Sequence, residues 1–215
     1  SEMIPKLIRD DIFAQAIILD FSIAVTEMFR DPDFYVSIRK NVVPYLKTYP
    51  FIKVWHAGCA TGEEAYSLSI LLQEEELYDR STIFATDFNE AVLDKAKDGI
   101  YNLKDIRQYT ENYQKSGGAR SFSEYCHAQH SSAIMDQSLK DNITFVCHNL
   151  VTDGIFGEMQ IIFCRNVLIY FDRTLQNRVL NLLADRLSYG GFLCLGSKET
   201  LQYSAVAGQF KEIDG

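Results

Sequence analysis

The chain has no paired-cysteine motif, no basic run and no apolar stretch fit to cross a bilayer, and each absence removes a class of protein. Its five cysteines (Cys59, Cys126, Cys147, Cys164 and Cys194) are an odd, scattered set without a C-x-x-C pair, and three of them sit inside strand-like apolar runs. That pattern excludes a disulfide scaffold and points to reduced, buried thiols in the cytoplasm. Lysine and arginine number 21 against 29 aspartates and glutamates, a formal charge of -8. A general electrostatic hold on nucleic acid needs clustered cations, so DNA and RNA are not expected partners. The longest early apolar stretch, "AQAIILDFSIAVTEMF", is interrupted by Asp20 and Glu27, and no secretory signal opens the chain. A soluble protein with no direct membrane insertion is expected. "CHAQH", Cys126 to His130, lacks a fourth ligand or a second cluster, so it reads as a polar hairpin turn and no metal is expected. The two ends, "SEM" and "QFKEIDG", read as trimmed.

What is present is apolar content of 47% over 215 residues, enough for one α/β domain that buries roughly 70–75% of its unfolded surface. Apolar residues recur at helical spacing from Ile12 to Arg30, and "RDP" marks the end of that helix, because a residue before proline is pushed away from the helical region. A second helix starts at Pro32. Short apolar runs then alternate with helical patterns: strands in "FIKVWHAG", "STIFATD", "NITFVCHNL", "MQIIFCRN" and "GFLCLGS", helices in "EEAYSLSILLQEE", "NEAVLDKAKDG" closed by Gly99, and "RTLQNRVLNLLADRLSYGG" with a glycine stop. Such alternation predicts a doubly wound, mostly parallel sheet. The segment from about Tyr101 to Asn142 is too long for an ordinary connection. It is expected to hold a helix over "NLKDIRQYTENYQ" and a small antiparallel hairpin with arms "SFSEYCH" and "SSAIMD". The domain boundaries expected are 1–50 for an N-terminal helical segment and 51–215 for the α/β domain, with the insertion at about 103–142.

The stretch "HAGCATGEEAYS", His56 to Ser67, carries the chemistry. It places Gly58 and Gly62 between an apolar strand and a helix, where a doubly wound sheet binds its ligands and where glycine lets the backbone approach them. A purely structural strand-to-helix turn fits the same residues. About 25 residues further on, the second strand ends at Asp87, where a carboxylate can accept hydrogen bonds from ribose hydroxyls. Asp87 would serve equally as a helix N-cap, as would Asn89. The half-site suits an adenosine ligand, and both NAD and S-adenosylmethionine fit it.

Five blocks, "VTEMFRDPDFY", "AGCATGEEAYS", "ATDFNEAVLDKAKDGIY", "HNLVTD" and "IIFCRNVLIYFD", occur in the order and spacing of the CheR family, which this chain resembles from about Ile23 to Leu201. Those are S-adenosylmethionine-dependent methyltransferases that esterify glutamate side chains of bacterial chemotaxis receptors. The resemblance implies the class I methyltransferase, Rossmann-like form of the sheet, with S-adenosylmethionine as cofactor and S-adenosylhomocysteine as product. Thr26 and Arg30 match the family's T-x-x-F-R helix, whose arginine meets the cofactor's carboxylate; i, i+4 spacing on one helix face suits that role. Gly58 belongs to the cofactor loop. Glu63 matches the first glutamate of G-E-E, near the cofactor, while Glu64 is expected to face outward or to start the helix. Asp87 matches the ribose-binding aspartate, and Asn149 and Leu150 match an "NL" pair near the adenine.

Arg165 and Asn166 fall at the ligand-facing end of the fourth strand, and Tyr170 matches an aromatic close to the departing methyl. Tyr170 and Arg165 are therefore the candidate catalytic residues, Tyr170 to order the methyl or the substrate and Arg165 to steer a substrate carboxylate. Three positions depart from the family's frequent residues: Ala24 for Asn, Ala65 for Pro and Met28 for Phe. The implied partner is the cytoplasmic helical region of a chemoreceptor, with the 121–135 hairpin as the docking surface. Two other readings stand beside this one: a catalytically silent cofactor-binding signalling adaptor, and an NAD-dependent dehydrogenase whose loop would depart from the dinucleotide fingerprint.

Overall fold

The computed structural model describes residues 26–153 and 157–214. Five strands, β1 (Ile52–Ala57), β2 (Ser81–Asp87), β6 (Ile143–Cys147), β7 (Met159–Cys164) and β8 (Leu187–Leu195), form a sheet in the order β6-β2-β1-β7-β8, every adjacent pair parallel. The period-2 alternation of the central strands divides the core into two layers. Val54 of β1 and Ile161 and Phe163 of β7 point into one apolar cluster; Trp55, Ala57, Ile162 and Cys164 point into the other. Helix α3 (Glu63–Glu74) covers the first layer with Leu68, Ile70, Leu71 and Leu72, and helix α6 (Arg173–Arg186) covers the second with Val179, Leu180 and Leu183. This is the expected doubly wound α/β sheet, and its five strands are all parallel. Its strand order reverses between β1 and β7, so the carboxyl ends of those two strands frame the switch point at which such sheets bind ligands.

On the amino-terminal side, α1 (Pro32–Ser37) passes through a π-helical turn, Ile38–Val42, into α2 (Val43–Leu46), matching the helix expected from Pro32. The helix expected from Ile12 to Arg30 differs. Its first part, through residue 25, lies outside the described residues, and Thr26 to Asp31 are not helical. Phe29 and Asp31 adopt left-handed φ values of 52° and 57°, and the Phe29 N–H donates to Ser67 Oγ at 2.8 Å instead of to a helical carbonyl. The cause is the Phe29 side chain, which is fully buried against Tyr35 and Tyr113 and turns the backbone to get there. Thr26–Asp31 is thus a strap tied across the domain.

Helix α4 (Glu90–Asp98) is capped at one end by Asn89, one of the two caps the sequence allows, and at the other by left-handed Gly99, as expected. The insertion forms β3 (Ile100–Asn102), α5 (Leu103–Lys115), β4 (Cys126–Gln129) and β5 (Ser132–Met135). The expected hairpin is present, but β3 pairs with β5 to make a three-stranded sheet in the order β3-β5-β4, and the "SFSEY" part of the first arm is not a strand. Ser121 and Glu124 form a capping box there, which closes a 3-10 turn at Phe122–Glu124. The glycine stop of the last helix is also corrected. Helix α6 ends at Arg186 and Leu187 is already extended, so Gly190 and Gly191 lie inside β8. Leu187 pairs with Met159 and Phe192 with Ile161, so the glycines serve a bulge in the ladder.

Candidate functional site

The chain leaves β1 through Gly58, Cys59, Ala60, Thr61 and Gly62 before entering α3. The N–H groups of Gly58 and Cys59 both donate to the Thr86 carbonyl at 2.8 Å, which binds this loop to the neighbouring strand. Gly58 has φ +84°, and a Cβ there would lie 2.5 Å from Val167 Cγ2, so only glycine lets the loop meet the segment after β7. Asp87 closes the loop from below: Oδ2 accepts the Ala60 N–H and Oδ1 the Asn89 N–H, each at 3.0 Å. Asn89, not Asp87, caps α4 through the Ala91 N–H. Burial raises the Asp87 carboxyl above its ordinary value against the pull of those N–H donors.

The opposite wall is the segment Arg165 to Tyr170. Asn166 is left-handed at φ 60°, and a 3-10 turn over Leu168–Tyr170 carries Tyr170 to the surface, where it is 60% exposed. The Arg165 side chain lies beneath this wall and is 3% exposed. Its guanidinium donates to Glu64 Oε1 at 2.8 Å, to Asp31 Oδ2 at 2.7 Å and to the Arg30 carbonyl at 3.3 Å, and it sits 4.0 Å over the Phe34 ring. Glu64 therefore faces inward, not outward, while standing in the first turn of α3 as the other expectation for it had it. The positive Arg165 draws it in, and the buried His56 holds its other oxygen at 3.2 Å. Burial pushes the Glu64 carboxyl up, but His56 and Arg165 outweigh that and leave it below the ordinary value. At Glu63 burial prevails: its carboxylate accepts from the Thr61 hydroxyl, at 2.9 and 2.7 Å, and burial pushes it up to about 7.

A cavity of about 250 Å³ opens between the two walls and the strap. Six residues expected from sequence line it: Thr26 and Arg30 from the strap, Gly58 from the loop, and Arg165, Asn166 and Tyr170 from the second wall. Cys59, Ala60, Glu64 and Ile169 complete it. Glu63 lines a second cavity of about 590 Å³ on the other side of Thr26 and Arg30, with Glu27, Asp105, Gln108 and Tyr109. Asp87 lines neither and reaches the first cavity through Ala60. Asn149 and Leu150 also line neither: Asn149 Oδ1 accepts the Val151 N–H in a local turn, and Leu150 packs against the α6 layer. Glu199 was missed in the sequence, because it lies in a polar stretch beyond the last strand with no periodic signal. Its carboxylate accepts four main-chain N–H groups, three of them from the second wall. Among the described residues no group of three or more His, Cys, Asp or Glu could hold a metal ion, and no helix is long and apolar enough to cross a membrane.

The family model described as "CheR methyltransferase, SAM binding domain" matches residues 24–215. "Putative methyltransferase Cher3" of Pseudomonas putida is 49% identical over 213 residues, which cover 99% of this chain and 78% of that protein. The "Chemotaxis protein methyltransferase" of Listeria innocua is 30% identical over 203 residues, 94% of this chain and 74% of that one. The protein of the same name from Vibrio anguillarum is 32% identical over 184 residues, 82% and 64% of the two chains. Among solved structures, a glycopeptide N-methyltransferase complexed with sinefungin aligns over 79% of this chain and 50% of its own, with a TM-score of 0.47 at 12% identity.

Proposed function

The chain belongs to the CheR methyltransferase family, and from that premise we propose that it uses S-adenosylmethionine to esterify glutamate side chains of a bacterial chemoreceptor. One observation carries the reading: residues from three separate stretches of sequence, Thr26–Arg30, Gly58–Ala60 and Arg165–Tyr170, converge on one cavity at the switch point of the sheet. The residues suit the cofactor's chemistry. A guanidinium, Arg30, lines one part of the cavity and can take a carboxylate. A glycine-bearing loop forms its wall, and behind that loop Asp87 has one N–H on each oxygen, which leaves acceptor positions for ribose hydroxyls. We assign the adenine to the side of Asn149 and Leu150, next along the same edge, and Glu63 to the neighbourhood of the methionine part.

When bound, the cofactor supplies an electrophilic methyl group on a sulfonium. A glutamate acceptor is ionised near neutral pH, with an unperturbed pKa of about 4.3, so no side chain has to remove a proton. The protein's work is to align the two groups and to keep water from them. Tyr170 stands at the cavity mouth, where it can order the acceptor or the methyl. The Arg165 guanidinium is occupied by Glu64, Asp31 and the Arg30 main chain, so we assign it to holding the strap and the positive field in place instead of to gripping the acceptor. The outer edge of β4, with His127, Ala128 and Gln129 exposed, is the surface we assign to the receptor, whose helical region would place the enzyme in the cytoplasm.

Calorimetric titration with S-adenosylhomocysteine, on the wild type and on Asp87→Ala, tests the site; saturable binding that the substitution abolishes is expected. Labelled methyl transfer to a receptor's cytoplasmic fragment, released as methanol by alkali, tests the ester. Cofactor binding without any alkali-labile transfer would replace the enzyme by a signalling adaptor.

A further inference from the structure

We propose that Glu199 is a positioning residue for the cofactor cavity, its carboxylate fixing the wall that carries Asn166 and Tyr170. Glu199 Oε1 accepts the N–H groups of Val167 and Leu168 at 2.8 and 2.7 Å, and Oε2 accepts those of Asn166 and Gly196 at 2.8 and 2.7 Å. Left-handed Asn166 turns the chain out of β7 and into the 3-10 turn, so three successive N–H groups point the same way with no carbonyl ahead of them. A carboxylate gathers all of them at once, and its charge complements the concave arrangement of donors. Gly196 follows β8, whose last residue, Leu195, pairs with Cys164 at the end of β7. The staple therefore ties the second wall to the ends of two adjacent strands.

Two close approaches make the position of this wall matter. A Cβ on Gly196 would lie 2.8 Å from Glu199 Oε2 and 3.0 Å from the Asn166 nitrogen, so the staple requires a bare backbone there. On the other side, Val167 presses into the space that a Gly58 side chain would fill. Wall and cofactor loop are thus held at a fixed separation, with the cavity between them. Glu199 itself does not line the cavity, whereas Asn166, Ile169 and Tyr170 do. It acts through them.

The inference rests on the assignment of this cavity to the cofactor, and the test separates the two. Glu199→Gln keeps the shape but turns one acceptor oxygen into an N–H₂ group facing N–H donors. Hydrogen exchange of residues 164–171, affinity for S-adenosylhomocysteine, and kcat and KM of methyl transfer are measured on it and on the wild type. The expected result is loss of protection at 166–168 with the central strands still protected, a fall of about tenfold in affinity, and a fall in kcat of about 10²-fold, the scale set by misplacing reacting groups by about 1 Å. KM for the receptor fragment stays at the wild-type value. Unchanged exchange at 166–168, or wild-type affinity and kcat in the folded variant, would overturn the proposal. If Glu199→Gln does not fold, Gly196→Ala, which crowds Oε2 from the other side, is expected to give the same loss of kcat, and wild-type turnover in it overturns the proposal equally. A wild type that binds S-adenosylhomocysteine but methylates no receptor sinks only the acceptor assignment, with exchange and affinity still deciding the role of Glu199. A wild type that binds no S-adenosylhomocysteine removes the cavity's ligand and this inference with it.

Discussion

Glu63 and Glu64 stand side by side at the start of α3, and their surroundings give the two carboxylates opposite effects on stability. Glu63 is held at about 7 against 4.5 for the free side chain, because burial disfavours its charge. Its folded value lies above the unfolded one, so its contribution is complete below about 4.5 and is lost as pH rises through about 7. The full span is about 3 kcal/mol at 1.36 kcal/mol per unit. Glu63→Gln should therefore stabilise the protein at pH 8 by up to about 3 kcal/mol and change it little at pH 5. Glu64 has the opposite sign: its folded value is depressed, so its stability is present above the unfolded value and is lost as pH falls through the folded one. Glu64→Gln takes a partner from the buried Arg165 guanidinium and should cost about 3 kcal/mol near neutral pH. Urea unfolding of both variants at the two pH values checks the pair. Equal responses would show that burial and the Arg165 partner do not separate the two groups.

At the scale of elements, the strap Thr26–Asp31 joins the cavity to the core through one side chain. Phe29 fills a space between Tyr35 of α1 and Tyr113 of α5, with ring centroids at 5.0 and 5.2 Å, and the Asn112 amide donates to the Met28 carbonyl at 3.0 Å. Phe29→Ala should cost about 3–5 kcal/mol, as for other buried aromatics, and should also weaken S-adenosylhomocysteine binding in protein that remains folded, because Arg30 is the next residue. Chemical unfolding and calorimetry on the one variant read both effects; loss of stability with undiminished affinity would show that the strap is not part of the binding site. The sequence could not foretell this strap. The apolar spacing from Ile12 to Arg30 is helical, and only the demand of Phe29 for the core, through a left-handed backbone, breaks it. The same kind of tertiary demand hides β3, three residues long, which becomes a strand only because β5 lies beside it. By contrast the C-terminal end of α4 was legible, since Gly99 is a local signal that needs no partner, while at its start the sequence left Asp87 and Asn89 as equal candidates and the structure selects Asn89.

For the whole molecule, the order of the strands of the large sheet and their helices was legible because apolar runs and helical periods alternate outside the insertion, whereas β3 and the end of α6 were not; of the cavity's lining, Gly58 fell at a strand end, while Thr26, Arg30 and Tyr170 were named from the blocks shared with the CheR family. What sequence could not supply was which charges meet: the inward turn of Glu64 and the staple of Glu199 depend on contacts across 101 residues to Arg165 and about 30 to the second wall. The cavity draws on the strap, the loop after β1, the first turn of α3 and the segment after β7, so a ligand there bridges elements from both sides of the switch point and should stabilise the domain as one unit. At a hundredfold excess over its dissociation constant such a ligand adds about 2.7 kcal/mol, which for a domain of this size is a rise in melting temperature of about 5–11 °C at about 2–4 °C per kcal/mol. S-adenosylhomocysteine should produce that shift in the wild type and not in Asp87→Ala, while NAD should produce none. The loop from Gly58 to Gly62 departs from the dinucleotide fingerprint, and the cavity beside it is about 250 Å³ with a cationic lining residue in Arg30. A shift with NAD alone would mean that Arg30 and the second wall close around a different ligand, and the methyl-transfer reading would fall with it.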